Sequence, residues 1–194
     1  MPRLPLILAS SSPRRRQLLE EAGYTFTVLP PRDEAEDEAR PGESAEALVR
    51  RLALQKARDV AQRVSQGLVV ACDTVAECQG QILGKPADRA HARQILRALR
   101  GQEHRVLSGL CLWRRPDDWH DVQVDVTRLV MQPLSDAALE AYLDSGAWVG
   151  KAGAFGYQDG LDWVRIVEGS ASNVVGLPME RLAQMLARLA DPQP

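Results

Sequence analysis

The turn Ser10-Ser11-Ser12-Pro13-Arg14-Arg15 puts three hydroxyls, a helix start and two guanidinium groups close together. The first amides of a helix lack partners within it, and the macrodipole is positive there, so such a start receives anions. Arg14 and Arg15 add planar donors that match phosphate oxygens two at a time. The same residues also suit a serine cap followed by two solvent-facing arginines. The turn is not a Walker loop, because a Gly-Lys-Ser/Thr ending is absent.

Three further segments carry chemistry. Asp73-Thr74 follows the apolar run Leu68-Val69-Val70-Ala71-Cys72. A carboxylate at the end of such a strand would face the crevice where α/β proteins bind ligands. There it can hold Mg²⁺ or accept a proton from water, or it can be a plain turn aspartate. Gly84-Lys85-Pro86 restricts its own backbone and so aims Lys85, whose ammonium would offset phosphate charge or face solvent. Lys151-Ala152-Gly153-Ala154-Phe155-Gly156-Tyr157-Gln158 has small residues that allow close backbone approach to a ligand. Gln158 offers both a donor and an acceptor, as the edge of a nucleobase requires. A turn-rich connection would use the same residues.

The elements that must position these groups follow from periodicity. Leu4 to Ala9 reads as a buried strand, broken by Ser10 to Pro13 and followed by a helix over Arg14 to Ala22. Phe26 to Leu29 is a second strand, and Pro30 to Gly42 is a polar, acidic loop. Leu48, Val49, Leu52, Ala53 and Val60 fall at helical spacing within 43–66, with Ser44 as an N-cap. A strand over Leu68 to Cys72 ends at Asp73, and a tight hairpin turns at Gln79-Gly80. A helix over Asp88 to Leu99 comes next. Strands then cover Val106 to Trp113 and Val122 to Met131, and a helix runs from Ser135 to Asp144. A strand over Trp163 to Val167 and a helix over Leu177 to Ala190 close the chain. Hairpins beside parallel strands mean an α/β fold with a mixed sheet. No linker divides the chain, so residues 1–194 read as a single domain.

Composition narrows the function. The chain is 45% hydrophobic and 26% charged, with a net charge of −2. No strong field marks it as a binder of nucleic acid or membrane surfaces. Its apolar runs fall far short of the ~20 residues of a membrane span. The short run after Met1-Pro2-Arg3 does not make a secretory signal core, so the expectation is a cytoplasmic protein. Cys72, Cys78 and Cys111 lack the spacing of a zinc site or a disulfide framework. His104 reads as a structural donor, while His91 and His120 lie in polar surroundings.

In order along the chain, the Ser10 to Arg15 turn, Leu54-Gln55-Lys56-Ala57, Cys72-Asp73-Thr74-Val75, Gly84-Lys85-Pro86, the Lys151 to Gln158 segment and Asn173-Val174-Val175-Gly176-Leu177-Pro178 resemble the Maf family of nucleotide pyrophosphatases. The resemblance runs from about Leu6 to Leu186 and departs from the family pattern at Val75-Ala76-Glu77 and Cys78. It implies an elongated, two-lobed fold with a central cleft, like that of inosine triphosphate pyrophosphatases. It implies hydrolysis of a nucleoside triphosphate to the monophosphate and pyrophosphate with a divalent cation, Mg²⁺ or Mn²⁺. Asp73 matches the family's proton acceptor, and Ser10, Arg14, Arg15, Lys56 and Lys85 match its substrate-binding positions. Asp33-Glu34 stands where the family has an acidic pair, so Glu34 joins Asp73 as an expected metal ligand. Arg14, Thr74 and Gln158 match the branch acting on dTTP and UTP rather than the branch acting on 7-methyl-GTP. A homodimer, removal of non-standard nucleotides and a link to arrest of cell division are also implied. Two other readings stay open: broad or 7-methyl-GTP specificity on the same fold, or a catalytically silent nucleotide-binding regulator of division.

Overall fold

The computed structural model describes residues 4–32 and 39–190. The chain opens with β1 (Leu6–Leu8), α1 (Pro13–Glu21) and β2 (Phe26–Val28), followed by α2 (Ala45–Ala61) and β3 (Gly67–Cys78). Next come β4 (Gln81–Leu83), α3 (Arg89–Leu99), β5 (Glu103–Arg115), β6 (His120–Met131) and α4 (Asp136–Asp144). The segment after α4 makes two short 3-10 turns, Ala152–Ala154 and Tyr157–Asp159. The last elements are β7 (Val164–Glu168), α5 (Ala171–Val175) and α6 (Met179–Ala190).

Helix starts follow local chemistry. Pro13 occupies the first turn of α1, where its missing amide costs nothing. Ser44, Asp88 and Ser135 accept from the amides of Ala47, His91 and Ala138, capping α2, α3 and α4. Helix α2 is shorter than the expected 43–66: it starts after the Ser44 cap, and at its other end Gln62 to Val64 wind into turns. α5 is absent from the sequence reading, since five residues are too few to show a helical period. The closing helix likewise begins at Met179 rather than Leu177.

The sheet is mixed, in the order β2-β1-β3-β5-β6-β7, with β4 paired to β3. β1 is parallel to both β2 and β3, and the other pairings are antiparallel. β3 does not end at Cys72 but continues through Asp73 and Thr74 to Cys78. Its register with β5, from Gly67↔Arg115 to Glu77↔Arg105, supplies main-chain partners throughout. What changes beyond Cys72 is the opposite edge. β1 covers only Leu68 to Val70, and β4 covers only Ala76 to Cys78. The backbone edge between those two pairings is open.

Alternation along β3 sends its side chains to two different surroundings. Val69, Ala71 and Val75 pack on the face covered by α2, against Ala53, Ala57, Leu48 and Val49. Leu68, Val70 and Cys72 pack on the other face with Leu19 of α1 and Leu182 and Met185 of α6. Further along that second face, Ala76 and Cys78 meet Leu96 and Leu99 of α3 and Leu139 and Leu143 of α4. Two helical groups thus share one sheet face, and the open edge of β3 lies between them.

Cys72, Cys78 and Cys111 are free and buried. Burial pushes all three thiols up, Cys111 to about 12. Since the thiolate is the nucleophile, the native protein should resist iodoacetamide near neutral pH, and all three sites should label once it is unfolded in guanidinium. Mass spectrometry of native and unfolded samples checks this, and rapid native labelling would contradict it.

Candidate active site

A cavity of about 350 Å³ opens over the exposed edge of β3. Its lining includes Ser10, Arg14, Arg15, Lys56, Asp73, Thr74, Lys85 and Gln158. The structure therefore gathers every site residue expected from the sequence except Glu34, which lies outside the described residues.

Asp73 lies on the α2 side of β3. Its Oδ1 accepts a hydrogen bond from Lys56 Nζ at 2.6 Å, and both side chains are largely buried. This meeting depends on how closely α2 lies on the sheet. Asp73 is paired in register with Gly109 of β5. A Cβ built at Gly109 would overlap the carbonyl of Val49 in α2, so only glycine admits the helix at this height. Val49 and Lys56 are about two helical turns apart on the same buried face. The missing side chain at Gly109 thereby sets the depth at which Lys56 reaches Asp73. Among the described residues, the carboxylate hydrogen-bonds to Lys56 alone.

Thr74 points to the opposite face and meets Arg15. Arg15 donates from Nε to the Gly176 carbonyl at 2.7 Å, and from its two terminal nitrogens to Ser10 Oγ at 3.2 Å and Thr74 Oγ1 at 3.3 Å. Three of its five N–H groups are thus committed to protein oxygens, which fixes the plane of the guanidinium and leaves two for a ligand. Thr74 Oγ1 also shares a 2.8 Å hydrogen bond with Ser108 Oγ, a fully buried hydroxyl on β5. Ser108 is not legible as a site residue from the sequence. Its one signal was a hydroxyl inside the otherwise apolar run Val106 to Leu110. Gly176 belongs to a motif in the sequence, and in the fold it contributes its carbonyl oxygen.

Arg14 reaches across the cleft and donates to the Gly150 carbonyl at 2.8 Å. Burial first, and then the charge of Arg15, lower its pKa. Two adjacent guanidiniums held partly out of water form a region that gains from an incoming anion. The far wall is the loop that carries Gln158. The amide of Gly153 donates to the Gly84 carbonyl at 3.2 Å, tying this loop to the turn that presents Lys85. Gly153 has φ of +71°, which glycine adopts freely, and a Cβ there would come within 3.0 Å of Ala76 and Phe155. Phe155 is buried and lies edge-on to His104. Burial lowers the pKa of His104, whose Nδ1 lies 3.4 Å from the Gln102 carbonyl oxygen. His91 and His120 are exposed.

Among the described residues, no group of three or more histidine, cysteine, aspartate or glutamate side chains could hold a metal ion. The donor set at the cleft still suits one kind of cation. Mg²⁺ is commonly held by one or two carboxylates plus substrate phosphates rather than by an all-protein cage, and Asp73 beside an anion-binding cavity fits that mode. No helix among the described residues is long and apolar enough to cross a membrane.

Fold and site together define a mixed α/β protein whose cationic cleft, built on an open strand edge, suits a phosphorylated ligand. The chain belongs to the Maf family: the sequence profile described as "Maf-like protein" matches residues 5–189. It is 56% identical over 182 residues to a dTTP/UTP pyrophosphatase of Rhodopirellula baltica, covering 93% of this chain and 80% of that one. It is 42% identical over 193 residues to a dTTP/UTP pyrophosphatase of Anaeromyxobacter sp., covering 97% and 91% of the two chains. Among solved structures, a HAM1 protein from Coxiella burnetii aligns with a TM-score of 0.54 at 15% identity, covering 95% of this chain and 99% of that one. That likeness concerns the fold.

Proposed function

We propose that this chain is a nucleoside triphosphate pyrophosphatase that hydrolyses dTTP and UTP to the monophosphate and pyrophosphate. The observation that carries the reading is the convergence of Asp73 with Arg15, Lys56 and Lys85 on one open strand edge. Membership of the Maf family, and relatives named dTTP/UTP pyrophosphatase, support the same substrate class. In this reading residues 1–194 act as one Maf-like domain on the cytoplasmic nucleotide pool.

A triphosphate repels an incoming nucleophile until its charge is offset. Arg15, Lys56 and Lys85 supply that offset from fixed positions, so little reorganisation is needed during reaction. Lys56 anchors one oxygen of the Asp73 carboxylate, and the other oxygen orients a water toward the α-phosphorus. The water oxygen bonds to the α-phosphorus as its proton passes to Asp73. The bond from the α-phosphorus to the bridging oxygen breaks, and pyrophosphate leaves with that oxygen's charge held by the cations. Asp73 and Glu34 would hold a divalent cation, which when bound neutralises phosphate charge.

Three positions bear on substrate choice. Arg14 and Thr74 are already bonded within the protein, to Gly150 and to Arg15 and Ser108. They shape the cleft. Gln158 is exposed at the cavity, and its amide has no hydrogen bond among the described residues, which suits it to read a base edge. Pyrophosphate release should be measured with Mg²⁺ on dTTP, UTP, CTP, GTP and 7-methyl-GTP. The reading expects dTTP and UTP to give the highest kcat/KM. Highest activity on 7-methyl-GTP would move the chain to the other branch. Nucleotide binding without release would make it a silent regulator.

A further inference from the structure

Lys151 and Asp159 form an ion pair in which both side chains are mostly withdrawn from solvent, 13% and 26% exposed. They bracket the segment that carries Gln158. Within the bracket the chain reverses twice: Ala154 N donates to the Lys151 carbonyl, and Asp159 N donates to the Gly156 carbonyl, each at 3.0 Å. Gly156 lies directly beneath the pair, and a Cβ built there would overlap both Lys151 Nζ and Asp159 Oδ2. Its bare backbone is what lets the two charged groups meet. Below the loop, the pKa of the partly buried Tyr142 phenol is raised to about 12, first by burial and then by the charge of Asp159. Asp159 thus lies close enough to Tyr142 for its side chain to act on the phenol. Gln158 is its chain neighbour within the same 3-10 turn.

We infer that the Lys151–Asp159 ion pair is a clamp that positions Gln158, and that it tunes the choice of nucleobase without touching the substrate. This role rests on Gln158 reading the base, as proposed above. An ion pair partly removed from water is harder to separate than an exposed one, and it joins the two ends of the loop. Gly153 then ties the closed loop to the Lys85 turn, so base reader and phosphate cation keep a set separation. With Asp159 neutral, the loop would relax and Gln158 would sample several directions.

The test compares Asp159→Asn, Asp159→Glu and Gln158→Ala in the full chain, measuring kcat and KM for dTTP, UTP and GTP. Asp159→Asn is expected to lower the dTTP/GTP ratio of kcat/KM roughly tenfold, mainly through KM for the pyrimidine nucleotides. Asp159→Glu keeps the charge and is expected to recover part of the ratio, which a general loss of folding would not do. If Gln158→Ala lowers the ratio and Asp159→Asn does not, the clamp is wrong while the base reader stands. If Asp159→Asn lowers KM for all three nucleotides alike, Lys151 is a phosphate ligand restrained by its counter-ion, and the clamp is again wrong. If Gln158→Ala leaves the ratio unchanged, the base reader fails and the clamp fails with it.

Discussion

Replacing Asp73 by asparagine is expected to lower kcat for dTTP by about 10²–10⁴-fold, the range for loss of a positioned general base. The shape of the side chain is kept, and Oδ1 remains an acceptor for Lys56. What disappears is the ability to take a proton from water and the charge opposite the ammonium. Removing one partner of a buried ion pair costs about 3–5 kcal/mol when nothing replaces it. The retained amide oxygen and the opening of the cleft to solvent should hold the folding cost below that. Steady-state pyrophosphate release, read beside circular dichroism and a thermal melt, separates the two effects. A variant that turns over at near the wild-type rate would remove Asp73 from the chemistry.

Gly109→Ala carries the second large effect, and it acts through the fold. The added methyl would overlap the Val49 carbonyl, and backbone rather than a flexible side chain must yield. Helix α2 covers Val69, Ala71, Val75 and Leu107 on this face of the sheet, so lifting it loosens a broad area of packing. Overpacking of this kind typically costs 1–3 kcal/mol, and with backbone on both sides about 3 kcal/mol is expected. For a chain of this size that is a fall in Tm of roughly 6–12 °C. Activity per folded molecule should fall as well, because Lys56 rides on the displaced helix. A melt within a degree or two of wild type would mean that α2 is free to shift, and the proposed link between Gly109 and the Lys56–Asp73 pair would be lost.

Much of the fold was legible because its signals are local. The serine caps of α2 and α4, the proline start of α1 and the hairpin at Gln79-Gly80 each depend on residues within one turn of one another. α5 was not legible, being too short to show a period. The continuation of β3 through Asp73 was also missed. An aspartate and a threonine after an apolar run look like a strand end, but distant pairing with β5 keeps the strand going. At the site, Arg14, Arg15, Lys85 and Gln158 stood out by residue type and local backbone, while Lys56 came from the family resemblance. Ser108 and the Lys151–Asp159 pair did not stand out, since a hydroxyl in a strand and two opposite charges eight positions apart have many bland uses.

The sequence by itself determined the chemical types and their order: anion-binding turn, carboxylate, lysine turn, glycine-rich loop with a terminal amide. Those are properties of residues and short segments, and they hold in any fold that keeps the segments intact. Only the tertiary structure decided that they share one cavity. The cavity exists because β1 and β4 are both short and leave part of one edge of β3 uncovered. An open strand edge depends on how far two remote partners extend, and no residue on β3 records that. Likewise Asp73 meets Lys56 because a glycine on a third element lets the helix settle close to the sheet.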